Sequence, residues 1–267
     1  MNRSPVASEL LAFGRELEAQ AAAQLGGSFS GLPEADAFIE REPNAFLLGV
    51  LFTQGIPAER AWQGPFLLRE RLGTLDPAWL ADHPDQVRAA VQAPPMLHRF
   101  KETLPRWIVA AAARLMTEYD GDASAIWPEG AHVIEVTERL NAFDGIGRKK
   151  AVMATEILAR HFGVGLTGRE CGQVAFDVQV RRVFLRSGLA DEDTPEAIEA
   201  AASLHCPESP GTLDLPAWLI GRQTCRPARP LCDECRLTRV CPRRISYRPE
   251  GVGARRPGGE RAYSAER

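Results

Sequence analysis

Hydrophobic positions recur with a helical period along nearly the whole chain. In "VIEVTERLNAF", Val133, Val136, Leu140 and Phe143 fall at i, i+3, i+7 and i+10, one stripe of a helix. Past Gly145-Ile146-Gly147 a second stripe places Val152, Ile157, Leu158 and Phe162 inward, so residues 133–162 predict helix, tight turn, helix. Residues 8–25 predict an amphipathic, alanine-rich helix stopped by Gly26-Gly27. "AFLLGVLFTQ" predicts an almost wholly apolar helix that Asn44 can cap. Residues 58–73 predict a helix interrupted near Gly64-Pro65. Pro105 stands near the start of a helix whose Trp107, Ile108, Ala111 and Leu115 share one face.

Further along, residues 163–173 hold four glycines and predict a loop. Asp177 can cap "VQVRRVFLRSGL", Thr194 with Pro195 opens another helix, and "LPAWLIGRQTC" predicts a short one. No stretch alternates with the period of a strand, and no internal repeat is visible. The fold class is therefore all-α. From Ser246 onward Gly, Pro, Arg and Glu dominate, which predicts a disordered tail over 246–267.

Composition narrows the function classes. At 267 residues, 45% hydrophobic and 25% charged, the chain can bury one large or two modest cores. Its longest apolar run, residues 45–52, is too short to span a membrane, and the N-terminal stretch brings in charge too early for a secretory signal. A cytoplasmic, nucleoid-associated protein is expected. The net charge of −3 does not advertise a nucleic-acid partner, but nine arginines against three acids give residues 225–256 a local charge of +6. Phosphate neutralisation is a local event, so an acidic protein with a basic face can still bind DNA.

Two stretches carry candidate chemistry. The first is "DGIGRKKA", residues 144–151, where a glycine turn meets a helix N-terminus followed by three cations. Free N–H groups at such a terminus bind anions, so this is either a phosphate clamp or an ordinary turn with a solvated basic first turn. The second is "CRPARPLCDECRLTRVC", whose Cys225, Cys232, Cys235 and Cys241 have the spacing C-x6-C-x2-C-x5-C. The intervening residues are too polar for core thiols, and a cytosolic setting argues against disulfides. Four thiolates suit tetrahedral zinc or a [4Fe–4S] cluster, and the single x2 pair favours the cluster.

Taken with "LFTQG" and "FDVQVRRV", these stretches resemble the helix-hairpin-helix DNA glycosylases, specifically the endonuclease III branch with its iron–sulfur cluster. The resemblance covers about residues 40–242, with four motifs in the family's order. It implies two helical lobes flanking an active-site cleft. A helical barrel with the hairpin would occupy 44–165, and an iron–sulfur domain would combine 1–43 with 169–245. It implies that Lys149 is the nucleophile and Asp177 the essential carboxylate, with burial or neighbouring cations depressing the lysine pKa. Gly145, Ile146, Gly147, Arg148 and Lys150 would meet DNA phosphate, and Gln54 would enter the duplex. The four cysteines would hold a [4Fe–4S] cluster.

The implied activity is base excision with abasic-site lyase chemistry on oxidised pyrimidines. The substrate would be double-stranded DNA bearing a damaged base or abasic site, met by a monomer. A monofunctional glycosylase for another lesion, or a non-catalytic damage-binding protein, are the alternatives. The sequence departs from the family at Asp144, where proline is usual, and at Val178 and Gln179, where threonine and histidine are usual. It also departs in the 28 residues from Lys149 to Asp177, the surplus falling in the glycine-rich loop. These departures bear on lesion choice and rate more than on fold.

Overall fold

The computed structural model describes residues 4–23 and 30–245; the predicted Gly26-Gly27 stop and the tail from Ser246 lie outside them. Twelve α-helices follow in order among the described residues: α1 (Pro5–Ala23), α2 (Pro33–Arg41), α3 (Pro43–Phe52), α4 (Ala58–Leu72), α5 (Pro77–Asp82), α6 (Pro84–Gln92), α7 (Thr103–Glu118), α8 (Val133–Asn141), α9 (Arg148–Arg160), α10 (Val178–Ser187), α11 (Pro195–His205) and α12 (Asp214–Gln223). Among the described residues three short 3-10 turns join them, and the one extended pairing is an isolated parallel bridge between His132 and Thr167. Proline opens α2, α3, α5, α6 and α11, where its fixed φ suits a first turn and its missing N–H costs nothing.

The helices enclose two cores. The first gathers Ile39, Phe46, Trp62, Leu104, Val136 and Leu158 from α2 to α9. The second joins Val6 and Leu10 of α1 to Phe184, Ile198, Ile220 and Leu237 near the C-terminus. Each large apolar side chain so buried contributes roughly 1.5–3 kcal/mol. One boundary differs from expectation: α2 belongs with the first core rather than with residues 169–245. Its Ile39 is buried there, and Phe38 meets Phe66 edge-on at 6.1 Å between ring centroids.

Two local readings are also corrected. Helix α4 runs unbroken through Gly64 and Pro65, because close packing against α3 holds it. A Cβ at Gly64 would lie 2.2 Å from the Phe52 ring, and one at Gly49 would lie 2.5 Å from Trp62, so the two glycines allow the helices to touch. Asn44 does not cap α3, which already begins at Pro43. Its amide instead donates to the Gly121 carbonyl at 2.9 Å and accepts the Ala123 N–H at 2.8 Å, tying α3 to the turn after α7.

The glycine-rich loop is anchored rather than loose. Thr167 donates to the Ala131 carbonyl at 2.9 Å, and the Val133 N–H donates to the Thr167 carbonyl at 3.0 Å. The loop is thereby laid along the entrance to α8 on its way to Asp177.

Candidate active site

Helices α8 and α9 form the predicted hairpin. Thr137 and Thr155 share a buried hydroxyl–hydroxyl bond of 2.9 Å between them. The turn closes at Gly145, whose φ of +83° is the left-handed region open to glycine. A Cβ there would also meet the Trp107 ring at 2.4 Å. Gly145→Ala should therefore lower stability by about 3 kcal/mol, combining backbone strain with overpacking, and urea unfolding reads this directly.

Ile146 is 1% exposed and plugs the first core, so its side chain anchors the turn and leaves its backbone at the surface of the hairpin. Gly147 caps α9 without a side chain, and open space surrounds its α-carbon. The positive end of α9 is thus presented to solvent, the arrangement that suits an anion.

The three cations diverge. Arg148 is exposed and donates to Gln173 Oε1 at 2.6 Å. Lys149 is 57% exposed and forms an ion pair with Asp177 Oδ2. Lys150 turns inward, donating from Nζ to the carbonyls of Leu51 and Gly145 at 3.0 Å each, above the Trp107 ring. Burial, then the charge of Lys149, pushes the Lys150 pKa down to about 8. The ammonium of Lys150 is thus engaged by backbone carbonyls, and the burial falls on Lys150 while Lys149 is exposed beside two cationic neighbours.

Asp177 is 8% exposed and uses its two oxygens differently. Oδ1 accepts the Gln179 N–H at 2.7 Å as the N-cap of α10, while Oδ2 faces Lys149. The plain capping role and the catalytic role are thus compatible in one side chain, and the helix dipole favours its charge. Lys149 opens a helix of the first core and Asp177 a helix of the second, so the pair spans the junction of the two lobes.

Gln54 is exposed at the corner after α3, followed by Gly55 at φ +73°. The corner is fixed from two sides. Lys150 holds the Leu51 carbonyl, and the buried ring of His98 meets the Phe52 carbonyl at 3.2 Å through Nε2. Desolvation holds the His98 pKa below its ordinary value. Lys150 therefore joins the Gln54 corner to the hairpin turn, a link absent from any local reading of the sequence.

Cys225, Cys232, Cys235 and Cys241 are free thiols lining one small pocket of about 30 Å³. Donors point at the sulfurs: the Arg243 N–H lies 3.3 Å from Cys241 Sγ, and the Arg186 guanidinium 3.8 Å from Cys225 Sγ. Burial pushes the Cys225 and Cys241 thiols up, an effect that a bound cationic centre reverses. Among the described residues no group of three or more His, Cys, Asp or Glu side chains is placed to hold a metal ion. Four thiols around one pocket, with N–H donors aimed at them, are the donor set that either a zinc ion or a four-cysteine cluster takes.

The pocket is bolted to α10. Arg182, 1% exposed, donates to the carbonyls of Cys225 and Gly221 and to Gln179. Arg186 donates to the carbonyls of Arg226 and Pro227 at 2.8 Å each. The sequence shows these arginines only as polar residues on a helix; nothing local marks them as buried.

No family model matches the chain. Individual relatives do. Endonuclease III of Synechocystis sp. is 28% identical over 181 residues, which span 65% of this chain and 74% of that protein. Endonuclease III of Thermotoga maritima is 32% identical over 49% of this chain and 56% of its own length. The Treponema pallidum enzyme is 29% identical over 52% and 57% respectively. In three dimensions the chain resembles a trapped endonuclease III–DNA covalent intermediate, with a TM-score of 0.57 at 20% identity over 76% of this chain and 84% of that one. It also resembles a thermostable thymine-DNA glycosylase, with a TM-score of 0.56 at 10% identity over 90% and 98%. The chain thus shares the all-helical, hairpin-bearing fold of these glycosylase structures and is similar in sequence to endonuclease III.

Proposed function

We propose that the protein is a DNA glycosylase with abasic-site lyase activity, acting as a monomer on oxidised pyrimidines in double-stranded DNA. The observation that carries this is the reachable amine of Lys149 held against the sheltered carboxylate of Asp177 beside a hairpin whose N-terminus is open to phosphate.

A damaged nucleotide turned out of the stack enters between the lobes, while the Gln54 corner faces the gap it leaves. Lys149 passes its proton to solvent and attacks the sugar C1′ with the freed lone pair, while Asp177 stays a carboxylate. The bond from C1′ to the base breaks, its electrons leaving with the base, which takes up a proton. Asp177 stabilises the positive charge developing on the sugar. Ring opening leaves a Schiff base between Nζ and C1′. Loss of a C2′ proton expels the 3′ phosphate, and water frees the lysine. The backbone around Gly145 and Gly147, with Arg148, holds phosphate and positions the strand without reading sequence.

Cys225, Cys232, Cys235 and Cys241 would hold the [4Fe–4S] cluster. With every cluster iron bound by a protein thiolate, it would supply structure to the loop around it.

Borohydride trapping on an abasic duplex tests the reading, since only a Schiff-base enzyme becomes covalently attached to DNA. Release of free base without trapping would favour a monofunctional glycosylase, and binding without either would favour a non-catalytic damage-binding protein. A panel of lesion-bearing duplexes then defines the excised base.

A further inference from the structure

Asp214, in the first turn of α12, is a buried carboxyl that the proposed chemistry does not use. Its Oδ1 accepts the Ala175 N–H at 2.7 Å, and the Ala175 carbonyl in turn accepts the Asp177 N–H at 2.6 Å. The segment that delivers Asp177 to the start of α10 is therefore braced from α12 by this one side chain.

Three charged groups act on Asp214 from the elements around it. They are Glu156 on α9, Asp177 at the cap of α10, and Lys149 at the start of α9. Glu156 is itself paired with Arg160 at 2.9 Å and lies 3.8 Å from Arg169. Asp177 has Lys149 opposite it. Asp214 thus shares its surroundings with two acids whose cations are already engaged, which makes its own ionisation unfavourable.

We propose that Asp214 is a positioning residue for the Lys149–Asp177 pair, bracing the segment that carries Asp177 and setting how much negative charge surrounds the pair. This rests on the Schiff-base reading above. Burial, followed by the charges of Glu156 and Asp177, raises its pKa from 3.8 to about 7. In its neutral form it leaves Asp177 as the carboxylate opposing Lys149. Once ionised, it adds a second negative charge behind the pair, which holds the Lys149 side chain against the acids and so withholds the nucleophile.

The sign of the stability effect follows. The unfolded carboxyl ionises near 3.8 and the folded one near 7, so the fold loses stability as pH rises between those values and then levels off. The catalytic effect begins only where the folded group ionises, around 7 and above. The two effects therefore occupy different pH windows.

Asp214→Asn keeps an acceptor for the Ala175 N–H and removes the charge. Single-turnover borohydride trapping on an abasic duplex should give equal rates for wild type and variant at pH 6. At pH 8.5 the variant should lead by about fivefold, the scale of removing one nearby negative charge from the pair. Melting curves should separate between pH 4 and 7, with the variant the more stable. Asp214→Ala, which also removes the brace, should trap more slowly than Asp214→Asn at every pH. A variant-to-wild-type ratio that is constant across pH overturns the proposal.

Wild type that traps at no pH overturns the Schiff-base reading instead. The link from Asp214 to the pair is then read from melting alone, by comparing Asp214→Asn with its parent in an Asp177→Asn background. Removing the Asp177 charge should lower the midpoint at which Asp214 titrates; an unmoved midpoint overturns the proposal.

Discussion

Lys149→Gln should abolish strand cleavage and borohydride trapping at abasic sites, a loss of at least about a thousandfold on the scale of other nucleophile deletions. DNA affinity should change little, because one charge is lost among several phosphate contacts. Stability should also hold to within about 1 kcal/mol. The lysine is 57% exposed, exposed ion pairs contribute little, and the glutamine amide can still donate to Asp177 Oδ2. Gel assays on one preformed abasic duplex separate these effects. A variant that binds, cleaves and traps like wild type would assign the chemistry to another amine. Lys150 offers a poor substitute, since its Nζ is held by the carbonyls of Leu51 and Gly145.

The second large effect concerns the four-cysteine pocket. Purified protein should be brown, with broad absorption at the blue end of the visible range, and Cys232→Ala should lose that colour. It should also lose stability, by about 3 kcal/mol or more, because the loop folds around what it binds. The loss should spread beyond the loop, since Arg182 and Arg186 tie its carbonyls to α10. Cys171→Ala is the matched control: Cys171 is an exposed thiol outside the pocket, so colour and stability should both survive. Visible spectra and iron analysis before and after substitution decide it. Colourless protein with stoichiometric zinc would replace the cluster with a single-ion site.

The hairpin and the capping role of Asp177 were legible because each is local. The stripe Val133, Val136, Leu140, Phe143 needs only the helical period, and an Asp before an apolar stripe needs only capping chemistry. Cysteine spacing is local in the same sense, with four cysteines inside 17 residues. The misreadings were also local rules, overridden by packing. Pro65 looked like a break, but Phe52 and Trp62 pressed against Gly64 and Gly49 keep α4 whole. Asn44 looked like a cap, but its amide serves the backbone at Gly121 and Ala123.

The sequence by itself determined the helices, the glycine turn, the order of the motifs and the sets of residues able to carry chemistry. It could not determine where three consecutive cations point. Successive side chains on a helix diverge by about 100°, so only the neighbours decide which is buried, and those neighbours come from distant segments. The Leu51 carbonyl that draws Lys150 inward lies 99 positions away, and Asp177, which faces Lys149, lies across the junction of the two cores. Tertiary structure alone assigned Lys149 to the carboxylate, Lys150 to the scaffold and Asp214 to a place behind the pair, because each assignment depends on which polar groups remain for a charge once the apolar surfaces have closed.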